Sequence, residues 1–182
     1  MNKCSQFIFA GLLIAAVALR ASCSYAAEID AESVKATLIT KFALDTKWPP
    51  ESAITSHSKV NVCVIGDAET GKLNKVFRSA LEAFGREYAL ISDVKANAVS
   101  ASCNIVFIRQ SEEPRIRDIL AGLAGKPILT IGDMENFAQK GGMIELAFIN
   151  KNVKVSINNK AAREAKFVIG ADLLGIARNV ID

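Results

Sequence analysis

KVNVCVIGDAETGKLNKVFRSALEAFG, residues 59–85, decides the fold. Its opening, Lys59–Ile65, is short, dominated by valine and isoleucine, and closed by Gly66, the pattern of a strand covered on both faces. After a polar turn the period changes. Leu73, Val76, Phe77, Ala80, Leu81 and Phe84 recur at helical spacing and stop at Gly85. A buried strand running into an amphipathic helix is the unit from which α/β folds are built.

The same alternation continues outward in both directions. Upstream, Asp30 can cap a helix on which Val34, Leu38 and Phe42 are expected inward, with Ile29 stapled onto Val34. Trp48-Pro49-Pro50 ends that helix. Downstream, Tyr88–Ile91 and Asn104–Ile108 read as strands. Pro114 opens a helix with Ile116, Ile119, Leu120 and Leu123 inward and Gly125 as its stop. Pro127–Ile131 is a further apolar strand. Met143–Ile149 and Val153–Ile157, separated by Asn150-Lys151-Asn152, read as a hairpin. A polar helix around Lys160–Lys166 and a last helix near Ala171–Ile181 finish the chain. The expected fold is therefore α/β: a single compact domain with a mixed, mostly parallel sheet flanked by helices and a C-terminal antiparallel hairpin.

The start of the chain has a different character. Met1–Lys3 is basic, Phe7–Leu19 is an unbroken apolar run of 13 residues, and Ser24-Tyr25-Ala26 offers small residues at the −3 and −1 positions. The run is short for a membrane span, and Arg20 interrupts it. Residues 1–26 are expected to be a cleaved export signal, cut near Ala26. A retained anchor, or lipoprotein processing at Cys23, are the alternatives. Residues 27–182 then form the domain, long enough for one core. Of 22 basic and 19 acidic residues, two basic ones, Lys3 and Arg20, lie in the signal, so the remainder carries a net +1. That balance offers no basic stripe for nucleic acid or an anionic membrane surface. Cys4 and Cys23 leave with the signal. Cys63 and Cys103 remain, each beside a predicted strand, and export favours their pairing over two buried free thiols.

Gly66–Lys72 fits G-x-x-x-x-G-K, the phosphate-cradling loop, but Leu73 stands where the magnesium-binding hydroxyl belongs, and Asp67 and Glu69 would repel phosphate. A plain strand-to-helix turn accounts for the glycines. His57, the one histidine, lies between Ser56 and Ser58 in a polar loop with no G-x-S-x-G elbow to present a nucleophile. Gly141-Gly142 reads as a turn requiring positive φ. Glu112-Glu113 reads as a pair of first-turn acids, and Glu145 has no acidic partner in its neighbourhood. Trp48 is expected to pack on the core, with an exposed anchor for a partner as the alternative. No catalytic residues, no metal ligands and no cofactor are expected, and the chain does not read as an enzyme.

Taken in order, VKATLITKFALDTKWPP, VNVCVIGD, CNIVFI, KPILTIGDMENFAQKGGMIELAFINKNVKVSIN and AAREAKFVIGADLLGIARNVID resemble the YfiR family of exported bacterial proteins. The likeness covers almost all of the domain. It rests most on Lys35–Pro49, on Leu129–Ile144 with its Phe137-Ala138 and Gly141-Gly142, and on the Leu173–Ile181 tail. The resemblance implies a periplasmic regulator that binds the sensor domain of an inner-membrane diguanylate cyclase (YfiN-type) and holds it inactive. It implies sequestration by an OmpA-like outer-membrane lipoprotein (YfiB-type) and a homodimer. It also supports a structural disulfide between Cys63 and Cys103. Departures from the family pattern are Thr46-Lys47 before Trp48 and the absence of a second, C-terminal cysteine pair. The reading from a different class is a periplasmic small-molecule binding module with its ligand at the carboxyl ends of the strands. Interface residues are not legible in the sequence.

Overall fold

The structure is a computed structural model. It describes residues 30–182 apart from 53, 56–57, 68–69, 84–86, 96–97 and 100–101. The export signal, Ile29, His57 and the Phe84-Gly85 helix stop lie outside the described residues.

Asp30 caps the first helix, α1 (Ala31–Asp45), by accepting a hydrogen bond from the Glu32 amide at 3.4 Å. A two-residue strand β1 (Thr46–Lys47) follows, then the first central strand β2 (Val60–Ile65) and helix α2 (Thr70–Ala83). Strands β3 (Tyr88–Ile91) and β4 (Ile105–Ile108) come next. A 3-10 turn, Gln110–Arg115, leads into α3 (Ile116–Leu123) and β5 (Leu129–Gly132). The hairpin β6 (Ile144–Ile149) and β7 (Asn152–Asn158) precedes α4 (Asn159–Glu164), β8 (Val168–Ile169), α5 (Ala171–Gly175) and β9 (Asn179–Ile181).

Among the described residues the main sheet runs β3-β2-β4-β5-β6-β7-β9. The five strands from β3 to β6 are mutually parallel, β7 is antiparallel to β6, and β9 runs parallel to β7. This is the mixed, mostly parallel α/β sheet with a hairpin that the sequence predicts. Ile149 pairs with Asn152, so the hairpin turn is only Asn150-Lys151. Both residues have positive φ, 51° and 61°, as a two-residue turn matched to strand twist requires. β1 and β8 form a separate antiparallel pair.

Strand alternation splits the core in two. Val60, Val62, Val64, Ile105, Phe107, Leu129, Ile131, Ile144, Leu146, Val155 and Ile157 join Ile39, Phe42, Leu73 and Phe77 from α1 and α2. The intervening residues Cys63, Ile65, Val106 and Ile108 pack with Ile116, Ile119 and Leu123 of α3 and with Met134 and Phe137. Cys63 and Cys103 are joined by a disulfide there, with Cα atoms 5.7 Å apart.

Three expectations need correction. On α1 the buried stripe is Ala36, Ile39, Phe42 and Ala43, while Val34 and Leu38 are only half-buried. Lys35 lies on the same inward side of the helix, bonded to Asp133. Pro114 belongs to the 3-10 turn, and α3 starts at Ile116. The last helix stops at Gly175, and residues 179–181 become strand β9. The open edge of β7 offers unpaired backbone groups, and Val180-Ile181 is a β-branched pair suited to fill it.

Candidate functional site

The chain leaves β2 toward β3 on one side, then returns across β2 to β4 on the other. The loop after β3 and the turn into α3 therefore stand on opposite sides of the β2 end and frame a crevice at the carboxyl ends of the strands, where open α/β sheets hold ligands. A cavity of about 810 Å³ occupies this switch point. Gly66 and Asp67 after β2, Asp93 and Lys95 after β3, and Glu112, Arg115 and Asp118 from the α3 side line it. Ile65 and Ile119 give it an apolar floor. Asp67, Asp93 and Asp118 are exposed, whereas Glu112 is 8% exposed and bonded to Arg115 at 2.5 Å. Asp93 adopts φ 57°, a conformation that Asp tolerates better than most residues.

Gly66 shows why this end of β2 must be glycine. Its φ is 95°, and an added Cβ would lie 2.6 Å from Ser111 Oγ and 2.9 Å from Glu112 Cγ. The first glycine of the G-x-x-x-x-G-K match thus serves a close approach between the β2 and β4 loops. Gly71 meets nothing within 4 Å.

Beside the crevice lies a group of four charges, two buried and two partly exposed, two from the first turns of α1 and two from strand ends. Arg109, just after β4, donates to Glu32 Oε2 at 2.7 Å and to Oε1 at 3.2 Å. It also lies 3.2 Å from Asp133 Oδ2, just after β5. Lys35 bridges Glu32 at 3.0 Å and Asp133 at 2.9 Å. The Lys35 and Asp133 side chains are only 7% and 3% exposed. Burial alone would push the Glu32 carboxyl up. Hydrogen bonds and positive charge from Arg109 and Lys35 outweigh that and hold it below its ordinary value of 4.5. Asp133 Oδ1 is buried without a hydrogen-bond partner among the described residues.

The residues singled out from sequence have structural positions. Glu145 is buried and accepts the Ala138 amide at 3.2 Å, anchoring the loop after β5. Glu113 pairs with Lys140 at 2.6 Å. Trp48 is half-buried, donates to the Ala43 carbonyl at 3.1 Å and meets the Phe167 ring edge-on at 5.4 Å. Of the two adjacent glycines, Gly141 has φ 105°. Gly142 has another role: its missing Cβ makes room for Phe137, whose Cε1 would lie 2.0 Å away. Gly132 flanks the same ring from the opposite strand end, with Cδ2 at 2.4 Å from an added Cβ. No sequence motif singles out Glu32, Lys35, Arg109 and Asp133. The available signal was a lysine between inward-facing positions of a helix, together with charged residues placed directly after apolar strands.

A family model described as YfiR/HmsC-like (DUF4154) matches residues 32–178. The chain belongs to this family. That match takes in the main sheet apart from β9, the crevice and the four-charge group. No curated protein matches the chain. Among solved structures, a conserved domain protein from Vibrio cholerae is similar, with a TM-score of 0.57 and 12% identity over 82% of this chain and 60% of that one. An ABC domain in complex with L-Trp from Streptococcus pneumonia is similar at a TM-score of 0.57 and 11% identity, over 80% and 60%. At such identities the likeness is one of fold, and this chain spans 60% of the length of each of these structures. Among the described residues no helix of this family member is long and apolar enough to cross a membrane.

Proposed function

We propose that this YfiR/HmsC-like chain is a periplasmic regulatory protein, exported by a signal cleaved near Ala26, that binds the sensor domain of an inner-membrane diguanylate cyclase and represses it. The observation that carries this reading is the family match across residues 32–178, nearly the whole domain. The chain acts without chemistry of its own, as a homodimer. It shifts the cyclase toward its inactive arrangement by binding that state more tightly. An OmpA-like lipoprotein that competes for the repressor relieves the block. Deleting the gene is expected to raise intracellular cyclic-di-GMP, and deleting the partner cyclase as well is expected to abolish the rise. An unchanged level, with the protein expressed and exported, rejects the role.

A second reading is favoured by the crevice at the switch point: the chain binds a small periplasmic molecule there, and occupancy tunes repression. The size of the cavity supports it, as does the amino acid carried by one protein of similar fold. Calorimetric titration with L-tryptophan is the first test. Binding that weakens in Asp118→Asn supports the crevice as the site, and the absence of heat removes this ligand from consideration.

A further inference from the structure

The crevice and the first turns of α1 share one side chain. Arg109 Nε donates to the Asp67 carbonyl at 3.1 Å, in the crevice wall, while its two terminal nitrogens hold Glu32 on α1. Its backbone carbonyl accepts the Glu112 amide at 2.9 Å, and its own amide donates to the Ile65 carbonyl at 2.9 Å. Ser111 Oγ accepts the Asp67 amide at 3.1 Å, closing the same wall. The guanidinium stacks over Phe107 at 5.3 Å.

A guanidinium is planar, with its donors in a fixed fork, so the Nε edge and the terminal edge cannot move independently. A shift of Asp67 therefore turns the fork that grips Glu32. The opposite end of the linkage does not yield gradually. Lys35 and Asp133 are buried and Glu32 and Arg109 only partly exposed, so removing one charge leaves a buried one uncompensated. The N-terminal turns of α1 are accordingly either docked on this group or released from it.

We propose that Arg109 couples the crevice to α1, so that closure of the Asp67–Glu112 wall and docking of α1 favour each other. This rests on the second reading above, in which the crevice is the ligand site, and gives that site its regulatory output: a ligand that rearranges the wall repositions α1. Coupling between two sites must run in both directions, which makes it measurable with no ligand present.

The test is amide hydrogen exchange on the full-length exported protein and three variants. In Glu32→Gln, which leaves the crevice untouched, the Asp67 and Glu112 amides are expected to exchange about tenfold faster, the scale of one lost charge-assisted hydrogen bond. In Ser111→Ala, which leaves α1 untouched, the amides of Lys35 and Ala36 are expected to accelerate several-fold. In Arg109→Lys, which keeps the charge and loses the fork, both sets are expected to accelerate together. Val155 and Ile157 in β7 should keep their wild-type rates throughout. One-way effects, in which each variant loosens only its own side, would overturn the proposal. So would wild-type rates in Arg109→Lys, or an equal rise at Val155 and Ile157 in Ser111→Ala, the mildest change. Failure of L-tryptophan to bind would leave these exchange results standing, so the two readings fail separately.

Discussion

The two faces of the sheet are held by different means. On the α1/α2 face, every second residue of five strands is apolar and meets two long helices, so contact area suffices. On the opposite face the apolar stripe ends after β4. There Thr130, Gly132, Glu145 and Ser156 stand among the alternate positions of β5 to β7, and the eight-residue α3 packs its buried residues mainly on β2 and β4. That face relies on local fastenings: the Cys63–Cys103 disulfide, and Phe137 seated between two glycines. The thinner cover is also where the crevice opens, between the loop after β3 and α3. Broad apolar cover gives rigidity, and a face held at points leaves room for a ligand.

The comparison can be broken most sharply at Phe137. Phe137→Ala is expected to destabilise by about 5 kcal/mol, the upper end for such truncations, because the flanking glycines have no side chains to fill the cavity. Urea unfolding measures this. A loss below half of that figure would mean the loop collapses and the fastening is not local.

Replacing Cys63 and Cys103 together by alanine is expected to lower stability by about 4 kcal/mol in the chain-entropy model for their sequence separation of 40. Thermal unfolding, with and without reductant, checks it, and reductant should affect only the wild type. On the α1 side, Asp133→Asn should cost about 3 kcal/mol, the lower end for a broken buried pair, since Lys35 and Arg109 both retain Glu32.

Glu32 adds a pH signature. Its folded pKa lies below its unfolded value, so its contribution is present above about pH 4.5 and is lost as pH falls through the folded value. Chemical denaturation across that acid window should show wild-type stability falling more steeply than that of Glu32→Gln. Equal slopes would show that the charge group does not hold α1. The smallest effect belongs to the crevice. Asp118 is exposed, and Asp118→Asn should change stability by less than about 0.5 kcal/mol. A larger loss would make the crevice wall part of the fold's support.

By itself the sequence determined the α/β class, the parallel core, the hairpin and the cysteine pair. These follow from short-range signals: apolar runs bounded by turns, a helical period in residues 73–84, Asn150-Lys151-Asn152 between two apolar runs, and cysteines beside strands. Only the tertiary structure decided which charges meet. Arg109 and Glu32 are 77 residues apart, Lys35 and Asp133 98, and no local pattern encodes a contact made by strand order. The same reason governs the inward face of α1, where Lys35 meets Asp133 beside the apolar residues. It also governs the tail, where an open strand edge overrode the helical pattern after Gly175. The crevice exists only because β3 and β4 flank β2 on opposite sides, a fact of topology that no single segment contains.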